Sequence, residues 1–469
     1  MMSDGKRYFF CGVGGSGMLP LAMIVNAQGG QVAGSDRAYD QGRTIAKFDY
    51  LKSLGIALHP QDGSGLVSAD QTLVASAAVE DTVPDVAAAN RLGARRLSRA
   101  ELLSSLFNEA SQSIAIGGTS GKSTTTGMIG WILHHAGREP TVMNGAVMKN
   151  FVRDDGLFAS ALVGANEIFV SEVDESDGSI AMFNPTISVL NNISLDHKSM
   201  DELRELFGAF VKKANTAIIN LDDREAAQVA EANSEGAMTY SIGSQATFMA
   251  KNLQPQRDGI NFSVVETYND GGTKEVSVNL KMPGRHNVSN ALASIAAVRA
   301  AGVSLTEAAT ALDKFEGVKR RFEFVGEVGG ITIIDDFGHN PDKIAATLKT
   351  LHDFDGRLLV MFQPHGFGPL RKMKTEFIDC FIKNLSVDDH LFMPEPVYFG
   401  GTVDRSVSSE DITAGICDGG RHAQALADRE ACGDAILKLA KKGDRIVIMG
   451  ARDDTLSTFA ISLLDRICL

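Results

Sequence analysis

Paired cysteines are missing from this chain. Its five, Cys11, Cys380, Cys417, Cys432 and Cys468, show no metal-ligand spacing. That excludes a disulfide-stapled scaffold or a cysteine zinc site and reads as reduced thiols that fill cores. Long uncharged apolar runs are also missing, which excludes a membrane-spanning helix. The N-terminus has no apolar stretch of secretory type, so the expected location is cytoplasmic. Positive charge is in the minority: 45 Lys and Arg against 58 Asp and Glu leave a formal net charge of −13. No basic face for nucleic acid or an anionic membrane is expected, although a local cationic pocket for a small anion remains compatible. Internal repeats and low-complexity tracts are absent as well. What remains is 469 residues, 44% of them hydrophobic, enough for two to four domains with large cores.

The most informative stretch is Gly117-Gly118-Thr119-Ser120-Gly121-Lys122-Ser123-Thr124. It follows the apolar run Ile114–Ile116 and precedes a segment of helical periodicity, Thr124 to His135. Strand, glycine turn and helix form the setting of a phosphate-binding loop. Small residues turn backbone N–H groups onto phosphate oxygens, and the helix N-terminus adds positive partial charge. Lys122 is placed to reach the β- and γ-phosphates and Ser123 to ligate magnesium. Strict Walker spacing puts Ile116 where the first glycine belongs, so the loop is a shortened variant. An ordinary glycine turn with a surface lysine is the alternative.

Upstream, residues 1–110 read as one unit. The strand Arg7–Cys11 runs into Gly12-Val13-Gly14-Gly15-Ser16-Gly17, then a helix Leu19 to Ala27, a strand Gln31 to Ala33, and Gly34-Ser35-Asp36. This is a nucleotide-binding βαβ layout. Its spacing departs from the dinucleotide fingerprint, so any diphosphate-bearing nucleotide fits, with Gly14, Gly15 and Ser16 near the diphosphate and Asp36 near a sugar or base. Ser98 to Phe107 reads as a helix and Asn108 to Ser113 as a polar linker. Residues 111–317 form the second unit. Strand Ile168–Val170 ends in the acids Glu172, Asp174 and Glu175, which suit magnesium below a phosphate loop. Strand Ile187–Leu190 leads to Asp196-His197, and residues 247–281 read as a peripheral antiparallel insertion. Asn287 and Asn290 share a helix face and either read an adenine edge or cap the helix. Residues 318–469 alternate strands and helices, with Asp335-Asp336, Gln363-Pro364-His365 and Gly450-Ala451-Arg452 after strands, which suggests another α/β sheet.

Taken in order, the chain resembles the Mur ligase family, the ATP-dependent amino-acid ligases of cell-wall precursor synthesis. The resemblance rests on Gly14–Met18 with Gly34–Asp36, Gly118–Thr126, Glu172–Gly178, Asn192–His197, Gly284–Asn290, Arg320–Glu323 and Asp335–Pro341. It implies a three-domain α/β architecture: a Rossmann-like UDP-sugar domain, a central P-loop ATPase-like domain and a C-terminal Rossmann-like domain for the amino acid. It implies ATP and Mg2+, with UDP-N-acetylmuramate and an amino acid or short peptide as partners, in a monomer or homodimer. Matching positions carry family roles: Lys122, Glu172 and His197 catalytic; Ser123, Glu172 and His197 at metal. Gly118, Thr119, Ser120, Gly121, Lys122, Ser123, Thr124, His286, Asn287, Asn290, Arg321 and Asp336 are implied at ATP. Gly14, Gly15, Ser16, Ser35 and Asp36 are implied at the UDP-sugar, His339 and Arg371 at the acceptor.

The motifs are most similar to those of the alanine-adding and tripeptide-adding members. Ser120 stands where alanine-adding members usually have histidine, and Ser123 where they have threonine. Phe337 and Asn340 replace a common tyrosine and histidine near the acceptor, which keeps a tripeptide open as the alternative to L-alanine. The implied reaction phosphorylates a carboxylate and lets an amine displace phosphate. A nucleotide-gated binding protein needs no second nucleotide crevice, and a dehydrogenase leaves the phosphate loop unexplained.

Overall fold

A computed structural model describes residues 5–77, 79–153, 158–165, 167–195, 198–232, 236–396, 404–451, 453 and 455–467. Three sheets carry the architecture, each covered by helices. The first is parallel: β1 (Arg7–Cys11), β2 (Gln31–Ser35), β3 (Ala57–His59), β4 (Gln71–Ala75) and β5 (Arg96–Ser98), in the order β3-β2-β1-β4-β5. A central parallel strand is buried on both faces, so it reads as an unbroken apolar run. In β1, Phe10 packs with Leu21 and Val25 on one face, and Phe9 packs with Leu73 and Val86 on the other.

The second sheet has β6 (Gln112–Gly117), β7 (Thr141–Met143), β8 (Ala161–Leu162), β9 (Ile168–Glu172), β10 (Ile187–Leu190), β11 (Thr216–Asn220), β12 (Ala237–Ile242), β13 (Phe248–Gln256), β14 (Gly259–Thr267) and β15 (Thr273–Leu280). Their order is β15-β14-β13-β12-β11-β10-β6-β9-β7-β8. The third has β16 (Glu323–Val328), β17 (Ile331–Asp336), β18 (Leu358–Gln363), β19 (His390–Pro394), β20 (His422–Leu426) and β21 (Arg445–Gly450), in the order β16-β17-β21-β18-β19-β20. The chain forms two compact units, Met1–Lys281 with His286–Val318, and Met282–Arg285 with Lys319–Leu469. The first unit holds the first two sheets and the second unit holds the third.

Several expectations change. The stretch from Asn108 to Ser113 is not a linker throughout. Asn108 closes the helix Arg99–Asn108, and Gln112 and Ser113 begin β6. Ser113 can lie in a strand because its backbone N–H donates to Thr186 Oγ1 (2.9 Å) and its hydroxyl accepts from the Thr186 N–H (3.1 Å), so no polar group is left unpaired. Residues 248–280 are antiparallel among themselves, yet β13 pairs with β12, which makes them an extension of the second sheet at its edge. β10 ends at Leu190, and Asp196 and His197 lie outside the described residues. Asp335, Asp336 and Gln363 belong to their strands instead of following them. β16 and β20 gave no strand signal. Both are edge strands with a half-exposed, irregular pattern.

Candidate functional site

β6 lies between β10 and β9. The chain runs from β6 to β7 on the β9 side, and later crosses from β9 to β10 on the other side, so the crevice at the C-terminal end of β6 is a topological switch point, where open α/β sheets bind ligands. In register, Ile116 faces Glu172 and Gly117 faces Leu190. The loop after β6 turns through Gly118 at φ +126° and Gly121 at φ +82°, a left-handed region that glycine enters without strain. The helix Lys122–His135 therefore starts two residues earlier than periodicity suggests. Its N-cap, Gly121, supplies no side-chain acceptor, so the first-turn N–H groups face the crevice as donors for an anion. Asn192 braces the loop: its Oδ1 accepts from Thr119 Oγ1 (2.9 Å) and the Ser120 N–H (2.8 Å), and its Nδ2 donates to Ser120 O (3.2 Å).

Lys122 Nζ donates to Gly118 O at 2.6 Å and pairs with Glu175 Oε2 at 2.7 Å, the Glu175 side chain being 5% exposed. Ser123 Oγ donates to Glu172 Oε2 at 2.9 Å, and Asn144 Nδ2 donates to Ser123 O at 2.9 Å. Packing around Glu172 is close, since a Cβ at Gly145 would lie 2.1 Å from its Oε1. Burial pushes the Asp174 carboxyl up. The Ser176 hydroxyl and N–H, with the charges of Lys122 and Arg99, outweigh that and hold it below the usual carboxylate range. Arg99, Lys122, Glu172, Asp174 and Phe183 line a cavity of about 150 Å³ here.

These residues fit a triphosphate with magnesium. The glycines make room for phosphate, and a cation lies on the loop. A hydroxyl and a carboxylate supply hard oxygens. Among the described residues no three His, Cys, Asp or Glu side chains gather into a metal cage. Magnesium needs none, since it usually takes one or two carboxylates and completes its shell with phosphate and water.

Asn287 and Asn290 are buried, and Asn290 is turned to the loop. Asn290 Nδ2 donates to Asn287 Oδ1 (3.3 Å), Asn290 Oδ1 accepts from Thr125 Oγ1 (3.3 Å), and a Cβ at Gly121 would meet Asn290 Oδ1 at 2.4 Å. His286 is half-buried near the start of the helix Arg285–Ala300.

In the first glycine turn, Gly15 and Ser16 are exposed at the C-terminal end of β1, and Gly14 is buried. Asp36 accepts from the Gly14 N–H (2.9 Å) and, as a helix N-cap, from the Ala38 N–H (2.8 Å). Ser35 is fully buried, with its hydroxyl donating to Asp85.

In the second unit, Asp336 is buried and accepts from the Phe322 N–H (2.8 Å), the Gly338 N–H (2.9 Å) and Thr347 Oγ1 (2.9 Å). Arg321 lies 4.1 Å above the Phe337 ring, and its neighbours Arg320 and Phe322 sit at φ +59° and +51°. The two residues that flank Arg321, neither of them glycine, thus store backbone strain on both sides of it. His339 Nδ1 donates to Phe337 O at 2.9 Å, and its ring is 5.3 Å from that of His365. Arg371 is half-exposed and paired with Asp404.

Asn192 and Glu175 stand inside motifs whose other members received roles. Their signal, a polar side chain just beyond a sheet strand, was legible. Asn144 and Arg99 gave none, because each reaches the loop from a distant segment.

Family models match the chain as the Mur ligase family catalytic domain over residues 7–111, the Mur ligase middle domain over 116–298 and the Mur ligase, glutamate ligase domain over 320–452. The UDP-N-acetylmuramate–L-alanine ligase of Geobacter sulfurreducens is 34% identical over 458 residues, 95% of each chain. That of Cereibacter sphaeroides is 35% identical over 468 residues, covering 98% of this chain and 96% of its own. Among solved structures, the UDP-N-acetylmuramate–alanine ligase of Thermotoga maritima superposes with a TM-score of 0.79 at 23% identity, covering 99% of this chain and all of its own. The murein peptide ligase of Psychrobacter arcticus gives a TM-score of 0.67 at 25% identity, covering 99% of each.

Proposed function

The chain belongs to the Mur ligase family of ATP-dependent ligases, and we propose that it joins L-alanine to the carboxylate of UDP-N-acetylmuramate through an acyl phosphate, releasing ADP and phosphate. Residues 1–110 hold the UDP-sugar, 111–317 hold ATP, and 318–469 hold the amino acid. The observation that carries this reading is the crevice at the end of β6, where Lys122 lies on the phosphate loop and Ser123 meets Glu172 at 2.9 Å.

A carboxylate is a poor electrophile, and phosphorylation gives it a good leaving group. Lys122 neutralises charge on the phosphoryl group in transfer, and the loop N–H groups hold the phosphates. When bound, magnesium withdraws charge from the phosphate oxygens; Ser123, Glu172 and His197 are its proposed ligands. His286, Asn287, Asn290, Arg321 and Asp336 are assigned to ATP, with Asn290 acting through the loop it touches and Asn287 holding Asn290. Gly14, Gly15, Ser16, Ser35 and Asp36 are assigned to the UDP-sugar, where Ser35 and Asp36 shape the turn. His339 and Arg371 are assigned to the acceptor.

The likeness to L-alanine ligases over nearly the whole chain supports L-alanine as the amine. The tripeptide alternative draws on Phe337 and Asn340, and both have local work. Phe337 carries Arg321 on its ring, and Asn340 caps the helix Pro341–Leu351 by accepting from the Lys343 N–H at 3.0 Å. Phosphate release with UDP-N-acetylmuramate, measured against L-alanine, L-serine, glycine and L-Ala-γ-D-Glu-diaminopimelate, tests the assignment. L-Alanine is expected to give the highest kcat/KM. Turnover with none of them rejects the reading, and preference for the tripeptide replaces the amine.

A further inference from the structure

Arg99 is the first residue of the helix Arg99–Asn108, placed by the capping box of Ser98 and Glu101. Its guanidinium lies over the first glycine turn: a Cβ at Gly17 would stand 2.5 Å from Arg99 Nη1. The same side chain lines the 150 Å³ cavity that contains Lys122, Glu172 and Asp174. Arg99 thus spans the distance between the turn assigned to the diphosphate and the loop assigned to phosphoryl transfer. Among the described residues its only ion-pair partner is Asp174, at 4.0 Å, too long for a hydrogen bond. Asp174 is itself engaged elsewhere, with its Oδ1 accepting from the Ser176 N–H and hydroxyl at 2.9 and 2.7 Å. A planar fork of donors is therefore presented to the cavity, shaped for a carboxylate.

The cavity is small beside pockets that take whole ligands, roughly 300–1,000 Å³. It suits one anionic arm of a larger molecule. We propose that Arg99 recognises the UDP-sugar substrate by its reacting carboxylate, taking that group in a forked contact and holding it beside Lys122. This rests on the functional reading above. Arg99 is then the residue that separates a sugar nucleotide bearing the acid from one that lacks it.

The test uses the full-length protein and its Arg99→Ala and Arg99→Lys variants, with calorimetric binding of UDP-N-acetylmuramate, UDP-N-acetylglucosamine and ADP. UDP-N-acetylglucosamine has the same UDP and amino sugar without the carboxylate arm. Arg99→Ala is expected to weaken UDP-N-acetylmuramate by about 30-fold, a typical loss for a charge-assisted contact. UDP-N-acetylglucosamine and ADP are expected to bind as in wild type, and Arg99→Lys to recover part of the loss. ADP binding by the variants shows that they are folded. Equal weakening of both sugar nucleotides overturns the proposal, because the guanidinium then acts on the diphosphate or the fold. Unchanged UDP-N-acetylmuramate binding overturns it too. Wild-type protein that binds ADP but neither sugar nucleotide overturns the functional reading itself.

Discussion

Lys122 is both the cation of the phosphate loop and the partner of a buried carboxylate, and a double substitution separates the two roles. Lys122→Ala is expected to lower ADP formation by about 1,000-fold or more, because phosphoryl charge loses its fixed counter-charge. It also strands Glu175, only 5% exposed, and should destabilise the protein by roughly 1–3 kcal/mol. Adding Glu175→Gln removes the stranded charge. The double variant is expected to recover most of the melting temperature and none of the activity; equal melting in the single and double variants would refute the pairing argument. That Lys122, Ser123 and Glu172 come together was legible, since a glycine turn after one parallel strand and an acid at the end of its neighbour lie at the same end of a sheet. Glu175 was legible only as one acid among several, because the sequence does not say which carboxylate turns inward. Exposure separates the thiols in the same way. Burial, with Asp85 adding to it, pushes the Cys11 thiol up to about 12, and burial does the same to Cys432. Cys417 is exposed. Alkylation near neutral pH, followed by peptide mapping, should modify Cys417 well before Cys11, Cys380 or Cys432.

Strands and helices set the site's tolerances. Glu172 is the last residue of β9 and lies opposite Ile116, so the sheet register itself carries its carboxylate to Ser123. Gly145 closes the other side. Gly145→Ala would push a methyl group into Glu172 Oε1. The Mg2+ concentration for half-maximal activity is then expected to rise by about 10-fold, the scale of losing an orienting contact at a metal site. An unchanged Mg2+ requirement would show that Glu172 is not held there. The helix Arg99–Asn108 depends on its capping box, and Ser98→Ala should destabilise it by about 1 kcal/mol, read from urea unfolding. At this scale, the long apolar strands and periodic helices were read correctly. Ser113 was misread because its hydroxyl is satisfied by the Thr186 N–H, 73 residues away. Edge strands β16 and β20 left no periodic mark, since none of their side chains is fully buried and their exposure is irregular.

Across the whole molecule, stability depends on groups kept neutral inside it. Burial, with Lys343 beside it, holds the His339 imidazole well below its ordinary value of about 6.5; the Phe337 carbonyl works the other way. Between the two values the unfolded chain binds more protons than the folded one, so stability is present above about pH 6.5 and falls as the pH drops below it. The melting temperature is expected to fall from about pH 7.5 to about pH 5.5, and His339→Asn to flatten that fall. An identical pH dependence in the variant would remove His339 as the cause.

The three α/β domains and the places of the loops were written in the order of glycine turns, acids and apolar runs, because local backbone geometry selects residue types wherever they occur. Which side chains meet was decided only by the tertiary structure. Asn192, Asn144, Asn290 and Arg99 reach one crevice from four separate segments. Parallel strands join through long crossovers, so neighbours in the sheet leave no spacing in the sequence, and hydrogen-bond register alone brings their ends together.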